Sequence, residues 1–274
     1  MNLCISNIAW NPPEDKEVYR LMNKYGFNGL EVAPVRTWDK PPDQITSGGI
    51  KSFLDELETF GISLIAFQAV LFGRPDLKIF DSKNKRKETL DFLKGIIRLA
   101  HRTGTRILVF GSPRNRDTGK LSHNAVLKIA RDVFLELGEY AWERGVLFCI
   151  EPNPKEYNTN FINNTEQALN LLSEVNHPGF RLHIDTGTLI VNREIGQDVI
   201  RRASAYIAHL HVSEPYLEPV MPPESQQMHR EIHLALKAVN YEGWISVEMK
   251  KMKEAGNTEV VERALQAVSD IYTH

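Results

Sequence analysis

Only two cysteines occur in the sequence, Cys4 and Cys149, and no CxxC spacing, so neither a disulfide framework nor a cysteine-built zinc knot is available. Each lies inside an apolar, strand-like run, the usual setting of a buried, reduced thiol. No apolar run approaches the roughly 20 residues that span a bilayer, so no membrane partner is expected. An excess of one charge is missing too: 33 Lys and Arg stand against 35 Asp and Glu, and a net charge of -2 gives no field that favours nucleic acid. The basic cluster Lys83, Lys85, Arg86 and Lys87 reads instead as the solvated start of a helix. No GxGxxG or P-loop follows the first apolar run, which disfavours a nucleotide-binding sheet. The start, MNLCISNIAW, shows no basic segment and no small-residue cleavage site, and the expected location is cytoplasmic.

What is present is a rhythm. A short apolar run followed by an amphipathic stretch recurs eight times in 274 residues, close to the roughly 250 of one (β/α)8 barrel. The apolar runs are Leu3 to Ala9, Gly29 to Val35, Ser63 to Val70, Arg106 to Gly111, Leu147 to Glu151, Arg181 to Asp185, Ile207 to Val212 and Trp244 to Glu248. The helical patterns are Glu17 to Tyr25, Ile50 to Phe60, Lys87 to Arg102, His123 to Arg144, Thr165 to Val175, Gln197 to Ala203, His229 to Val239 and Thr258 to Ile271. Gly26, Gly61, Gly104, Gly145, Gly179 and Gly243 fall between a helical stretch and the next strand, where a left-handed cap residue is expected; Ala203-Ser204-Ala205 replaces the glycine in the seventh unit. The expectation is an α/β fold of parallel strands with helical crossovers, a TIM barrel forming one domain over residues 1–274. Long loops after strands three (Leu71 to Arg86), four (Ser112 to Ser122), five (Pro152 to Asn164) and seven (Ser213 to Met228) would crowd one barrel face.

Four of the apolar runs end in a group that can do chemistry. LFCIEPNP stops at Glu151 because Pro152 and Pro154 cannot extend a ladder, and RLHIDTG, AHLHVSE and WISVEMK bring Asp185, His211 and Glu248 to the same level. Spacings of 34, 26 and 37 residues approximate one repeat, so all four side chains are expected in one mouth. Three carboxylates so close repel one another, and a divalent cation removes that cost. Oxygen-rich ligands with one imidazole suit Mn²⁺, Mg²⁺ or Co²⁺, and also admit Zn²⁺. His183 shares a strand face with Asp185, and His209 shares one with His211, as ligands, substrate contacts or orienters of the carboxylates. Glu31 and Gln68, late in strands two and three, either face the mouth, Gln68 then as a substrate contact, or are hydrogen-bonded interior residues. Arg114 and Arg116, in FGSPRNR, are either a clamp for a phosphate or sugar carboxylate or ordinary exposed loop arginines; Trp10 either stacks on a sugar or packs over the barrel mouth, and Glu214 joins these substrate candidates.

CIEPNP, LHIDTG, HLHVSEP and ISVEMK, in this order and spacing, resemble the xylose-isomerase-like superfamily of sugar isomerases and epimerases, which includes ketose 3-epimerases, hydroxypyruvate isomerase, inosose dehydratase and, more distantly, endonuclease IV. The resemblance implies that Glu151, Asp185, His211 and Glu248 are metal ligands and that Glu151 and Glu248 are also acid and base. It implies a sugar or sugar phosphate substrate, proton abstraction beside a metal-held carbonyl through an enediolate, and a possible homodimer by family analogy. The pattern departs from the ketose 3-epimerases where their substrate-binding Glu, His and Arg would fall, at Tyr157, Thr188 and Leu217, with Glu156 one residue short of the first. The expectation is retained metal chemistry on a different substrate. Thr188 and the lack of a basic surface also set the chain apart from endonuclease IV. The competing expectations are a metal-dependent dehydratase on the same barrel and a non-catalytic sugar-binding barrel.

Overall fold

Strands buried on both faces need continuous apolar runs, and the segment Ile107–Phe110 is buried at every position. The computed structural model describes residues 1–220, 222–252 and 256–273. Its strands are β1 (Asn2–Ser6), β2 (Gly29–Val32), β3 (Ser63–Phe67), β4 (Ile107–Phe110), β5 (Leu147–Ile150), β6 (Phe180–Asp185), β7 (Ile207–Val212) and β8 (Trp244–Val247). They follow one another in chain order and close into a barrel, the expected TIM fold. All eight expected helices are present, as Asp15–Lys24, Ser47–Thr59, Lys83–Thr103, His123–Trp142, Thr165–Val175, Gly196–Ala203, Gln226–Ala238 and Asn257–Tyr272. Within the long loop Ser213 to Met228, Met221 lies outside the described residues.

Three expected strands stop well short of their expected ends, the first two because the chain turns into helix. Ser6 accepts a hydrogen bond from the Ile8 amide and starts a single 3-10 turn, Asn7–Ala9. Pro34, whose fixed φ suits a first helical position, starts the short helix Pro34–Trp38 after β2. β3 ends at Phe67, before Ala69 takes a left-handed backbone. A second unexpected helix, Thr186–Asn192, begins directly on β6 with Asp185 as its N-cap.

The contacts divide the chain into two compact units. The first comprises Met1–Val32, Lys51–Ile65 and Ile184–His274. In it β1 pairs in parallel with β2 and β8, and β7 with β8, in register His211↔Ser246. Gly29 is needed in this sheet, since a Cβ there would lie 2.5 Å from the Trp244 ring and 2.6 Å from Cys4 Cβ. The second unit comprises Ala33–Ile50 and Ala66–His183. Its core centres on Phe134, which stacks on Phe180 at 4.9 Å and meets Phe110, Phe148 and Phe161 at 5.9, 6.3 and 6.2 Å. Both cysteines are free and buried, as expected. The basic helix start is a surface feature, with Lys85 and Lys87 paired to Glu88 and Asp91. Among the described residues no helix is long and apolar enough to cross a membrane.

The glycine expectation needs correction at two places. Gly26, Gly61, Gly104 and Gly145 have φ of 77°, 65°, 74° and 70°, as left-handed caps require, but Gly179 and Gly243 do not. Asn176 (φ 45°) and Asn240 (φ 53°) take that conformation beside those helix ends. Gly179 is small for another reason: a Cβ would lie 2.1 Å from the Gly138 carbonyl oxygen, which is main chain and cannot turn aside. Gly179→Ala is therefore expected to lose about 3 kcal/mol in urea unfolding, at the upper end of overpacking costs. Gly104→Ala, which meets nothing within 4 Å but holds a positive φ, should lose about 1–2 kcal/mol. Equal losses would contradict the packing argument.

Candidate active site

Three of the expected ligands converge in the first unit. Asp185 ends β6, His211 lies one residue before the end of β7, and Glu248 follows β8 directly. One ligand atom from each lies within 4.8 Å of the other two. His211 Nδ1 is 3.1 Å from Glu248 Oε2 and 4.0 Å from Asp185 Oδ2. Exposure is 5% for Asp185, 0% for His211 and 8% for Glu248, so little water screens them.

Each group is held in place. Asp185 Oδ1 accepts from the Thr188 amide at 2.7 Å, and Oδ2 accepts from Ser213 Oγ at 2.5 Å. The turns after β6 and β7 interlock around it: Thr186 Oγ1 donates to the Ser213 carbonyl, the Ser213 amide donates back to Thr186 Oγ1, and the Gly187 amide donates to Ser213 Oγ. Gly187 has no room for a side chain, since a Cβ would lie 2.8 Å from the Glu214 main chain. Burial, then the Glu248 charge, raises the Asp185 pKa against the opposing pull of His211.

The group that orders the site is Glu31, expected either at the mouth or as an interior carboxylate. Glu31 is 0% exposed in the middle of β2. Its Oε2 accepts from Ser246 Oγ at 2.6 Å and from His211 Nε2 at 2.9 Å, and His209 Nε2 lies 3.5 Å away. A carboxylate can only accept, so the proton sits on His211 Nε2 and Nδ1 is turned toward Asp185 and Glu248. Burial opposes charge on His211, but Glu31 and Glu248 outweigh it and hold the imidazole pKa well above its ordinary range. Burial likewise opposes charge on Glu31, yet His211 and His209 hold its pKa well below the carboxylate range. His209 thus sits beside the Glu31 carboxylate.

This donor set fits a divalent cation. Two carboxylates and one imidazole nitrogen face one point, and the far nitrogen is fixed by a buried carboxylate, the usual support of a metal-binding histidine.

The second unit carries Glu151, immediately after β5. Asn153 Nδ2 donates to its Oε1 at 2.7 Å, and Arg116 Nη1 donates to its main-chain carbonyl at 2.7 Å. Arg116 is therefore not a loop clamp, as expected from FGSPRNR, but a fully buried side chain turned onto β5. Arg114 is exposed on the 3-10 turn Pro113–Arg116, and Glu156 is exposed on the turn Lys155–Tyr157. Gln68 and His183 are buried. In the first unit, Trp10 is 1% exposed and its indole N–H donates to Asp15. Glu214 is buried and accepts from Ser225 Oγ at 2.6 Å, with His229 Nε2 at 3.6 Å.

A family model for the xylose isomerase-like TIM barrel matches residues 19–271. The chain belongs to that family. Fructoselysine 3-epimerase of Shigella flexneri is 24% identical over 250 residues, 86% of each chain. Among solved structures, D-psicose 3-epimerase of Clostridium cellulolyticum H10, crystallised with D-tagatose, superposes with a TM-score of 0.79 at 17% identity, covering 100% of this chain and 98% of its own. The IOLI protein with a bound zinc atom gives 0.74 at 20% identity, with 100% and 98% covered. At these identities the structural likeness carries the fold alone.

Glu31→Gln should weaken Mn²⁺ binding by about 10–100-fold in calorimetry while far-UV circular dichroism stays unchanged; an unchanged affinity would remove Glu31 from the site. Because the raised His211 pKa keeps a proton on Nδ1 to higher pH, Mn²⁺ binding should tighten as pH rises from about 6 to about 8 and release protons. Equal heats in buffers of different ionisation enthalpy would contradict that exchange.

Proposed function

We propose that the chain is a divalent-metal-dependent epimerase or aldose-ketose isomerase of a sugar or sugar phosphate. The observation that carries this reading is the buried meeting of Asp185, His211 and Glu248, with Glu31 behind the imidazole. Membership of the xylose isomerase-like family and the fructoselysine 3-epimerase relative support the substrate class. Glu151 is proposed as the fourth ligand, because it follows β5 and the strand order runs β5, β6, β7, β8. The two buried free thiols suit the reducing cytoplasm.

When bound, a cation such as Mn²⁺, Mg²⁺ or Co²⁺ supplies Lewis acidity that acidifies the C–H beside a substrate carbonyl. The chain's own groups move the proton. One of Glu151 and Glu248 takes it from carbon at a carboxylate oxygen, which requires an approach of about 3 Å. Return from the other glutamate on the opposite face inverts the centre, and return to the neighbouring carbon interchanges aldose and ketose. His211, fixed by Glu31, holds the imidazole edge of the site so that the carboxylates keep their separation. Exposed Arg114 is available to a phosphate on the substrate.

The test is solvent exchange in D₂O with the Mn²⁺-loaded protein and a panel of ketoses, aldoses and their phosphates, read by NMR. Deuterium should enter at the carbon beside the carbonyl, and Glu151→Gln and Glu248→Gln should each slow entry by about 10²–10⁴-fold. A variant that exchanges at the wild-type rate removes that glutamate from proton transfer.

A further inference from the structure

Arg116 is the largest buried cation in the described residues that serves no surface ion pair, and its position is costly. It is 0% exposed, and burial lowers its pKa to about 10, partly offset by the charge of Glu151, so it remains protonated at neutral pH. Nη1 is used on the Glu151 carbonyl, but among the described residues Nε and Nη2 have no hydrogen-bond partner. These two nitrogens form one edge of the guanidinium fork. A buried cation with an unmatched edge destabilises a fold, and an apolar residue of similar volume in its place is commonly neutral or stabilising.

Nor is the edge open to a substrate. The loop carrying Arg116 is fastened on both sides: buried Asn115 Nδ2 donates to the carbonyls of Arg74 and Leu77, the Ile79 amide donates to the Asn115 carbonyl, and Asn160 Oδ1 accepts from the Thr118 amide while its Nδ2 donates to Asp117. The same fastening holds the guanidinium against the end of β5. There it grips the Glu151 main chain, while Asn153, itself fixed through its main chain to Ile162 and Asn163, grips the carboxylate. Gly111 completes the holder, because a Cβ there would lie 2.4 Å from Glu151 Oε2.

We propose that Arg116 is a positioning residue for Glu151, holding the strand end and its carboxylate where a divalent cation can be ligated, at the expense of fold stability. This inference rests on the reading of Glu151 as a ligand.

The experiment is Mn²⁺ titration calorimetry on Arg116→Met, Arg116→Lys, Glu151→Gln and the double variant Arg116→Met/Glu151→Gln, with thermal melting of each. Arg116→Met should bind Mn²⁺ about 10-fold more weakly with Tm unchanged or raised, and Arg116→Lys, which keeps the charge but loses the fork, should also bind more weakly. In the Glu151→Gln background Arg116→Met should add no further loss. Tighter binding by Arg116→Met would mean that Arg116 acts only as a repelling charge, and a lowered Tm with wild-type affinity would mean a structural role alone; either overturns the proposal. Should Arg116→Met fail to fold, wild-type affinity in Arg116→Lys does the same. If Glu151→Gln itself binds Mn²⁺ as wild type does, the ligand reading of Glu151 fails instead.

Discussion

The contact between Glu31 and His211 is the constraint on which the rest of the site depends. An imidazole at 0% exposure between acidic groups could present either nitrogen to them, and only one arrangement leaves Nδ1 for a cation. Glu31 decides the matter by accepting from Nε2 at 2.9 Å, and Ser246 and His209 in turn fix Glu31. Parallel pairing sets this up: Ser6 lies opposite Glu31 in the β1–β2 register, and His211 lies opposite Ser246 in the β7–β8 register. The site is thus a product of strand register, and a slip of one residue would turn Glu31 and His211 to opposite faces.

Asp185 shows how local structure and chemistry share one side chain. As N-cap of Thr186–Asn192 it accepts from the Thr188 amide, which satisfies a helix-end donor and stabilises the anion together. Its second oxygen takes the Ser213 hydroxyl, so the turn after β7 is tied to the turn after β6. Burial, then the Glu248 charge, still raises its pKa, and the repulsion from Glu248 is what a cation relieves.

Much of this was legible in the sequence, for physical reasons that can be named residue by residue. Asp185, His211 and Glu248 were readable because each ends an apolar run with a polar group, a local pattern. Helix Thr165–Val175 and strand Ile207–Val212 match their expected bounds because caps and composition change abruptly there. The helices Pro34–Trp38 and Thr186–Asn192 were not readable, since five and seven residues are too few to show a repeat of 3.6. Gly179 was misread because a left-handed cap belongs directly after the helix, where Asn176 stands. The role of Glu31 was hidden by distance, its imidazole partner lying 180 residues away. Arg116 was hidden too, since loop arginines are ordinarily exposed and only the fastening of its loop reveals otherwise.

Glu31 and Arg116 are two forms of one arrangement, in which a charged group is buried away from water to aim another. Such burial is retained where activity, rather than fold stability, benefits. The most direct measurement of the central claim is an anomalous difference map from crystals soaked in Mn²⁺, collected at the manganese edge. The account predicts one strong peak bonded to His211 Nδ1 and to carboxylate oxygens of Asp185, Glu248 and Glu151. A peak on other residues, or none between Asp185, His211 and Glu248, would contradict it.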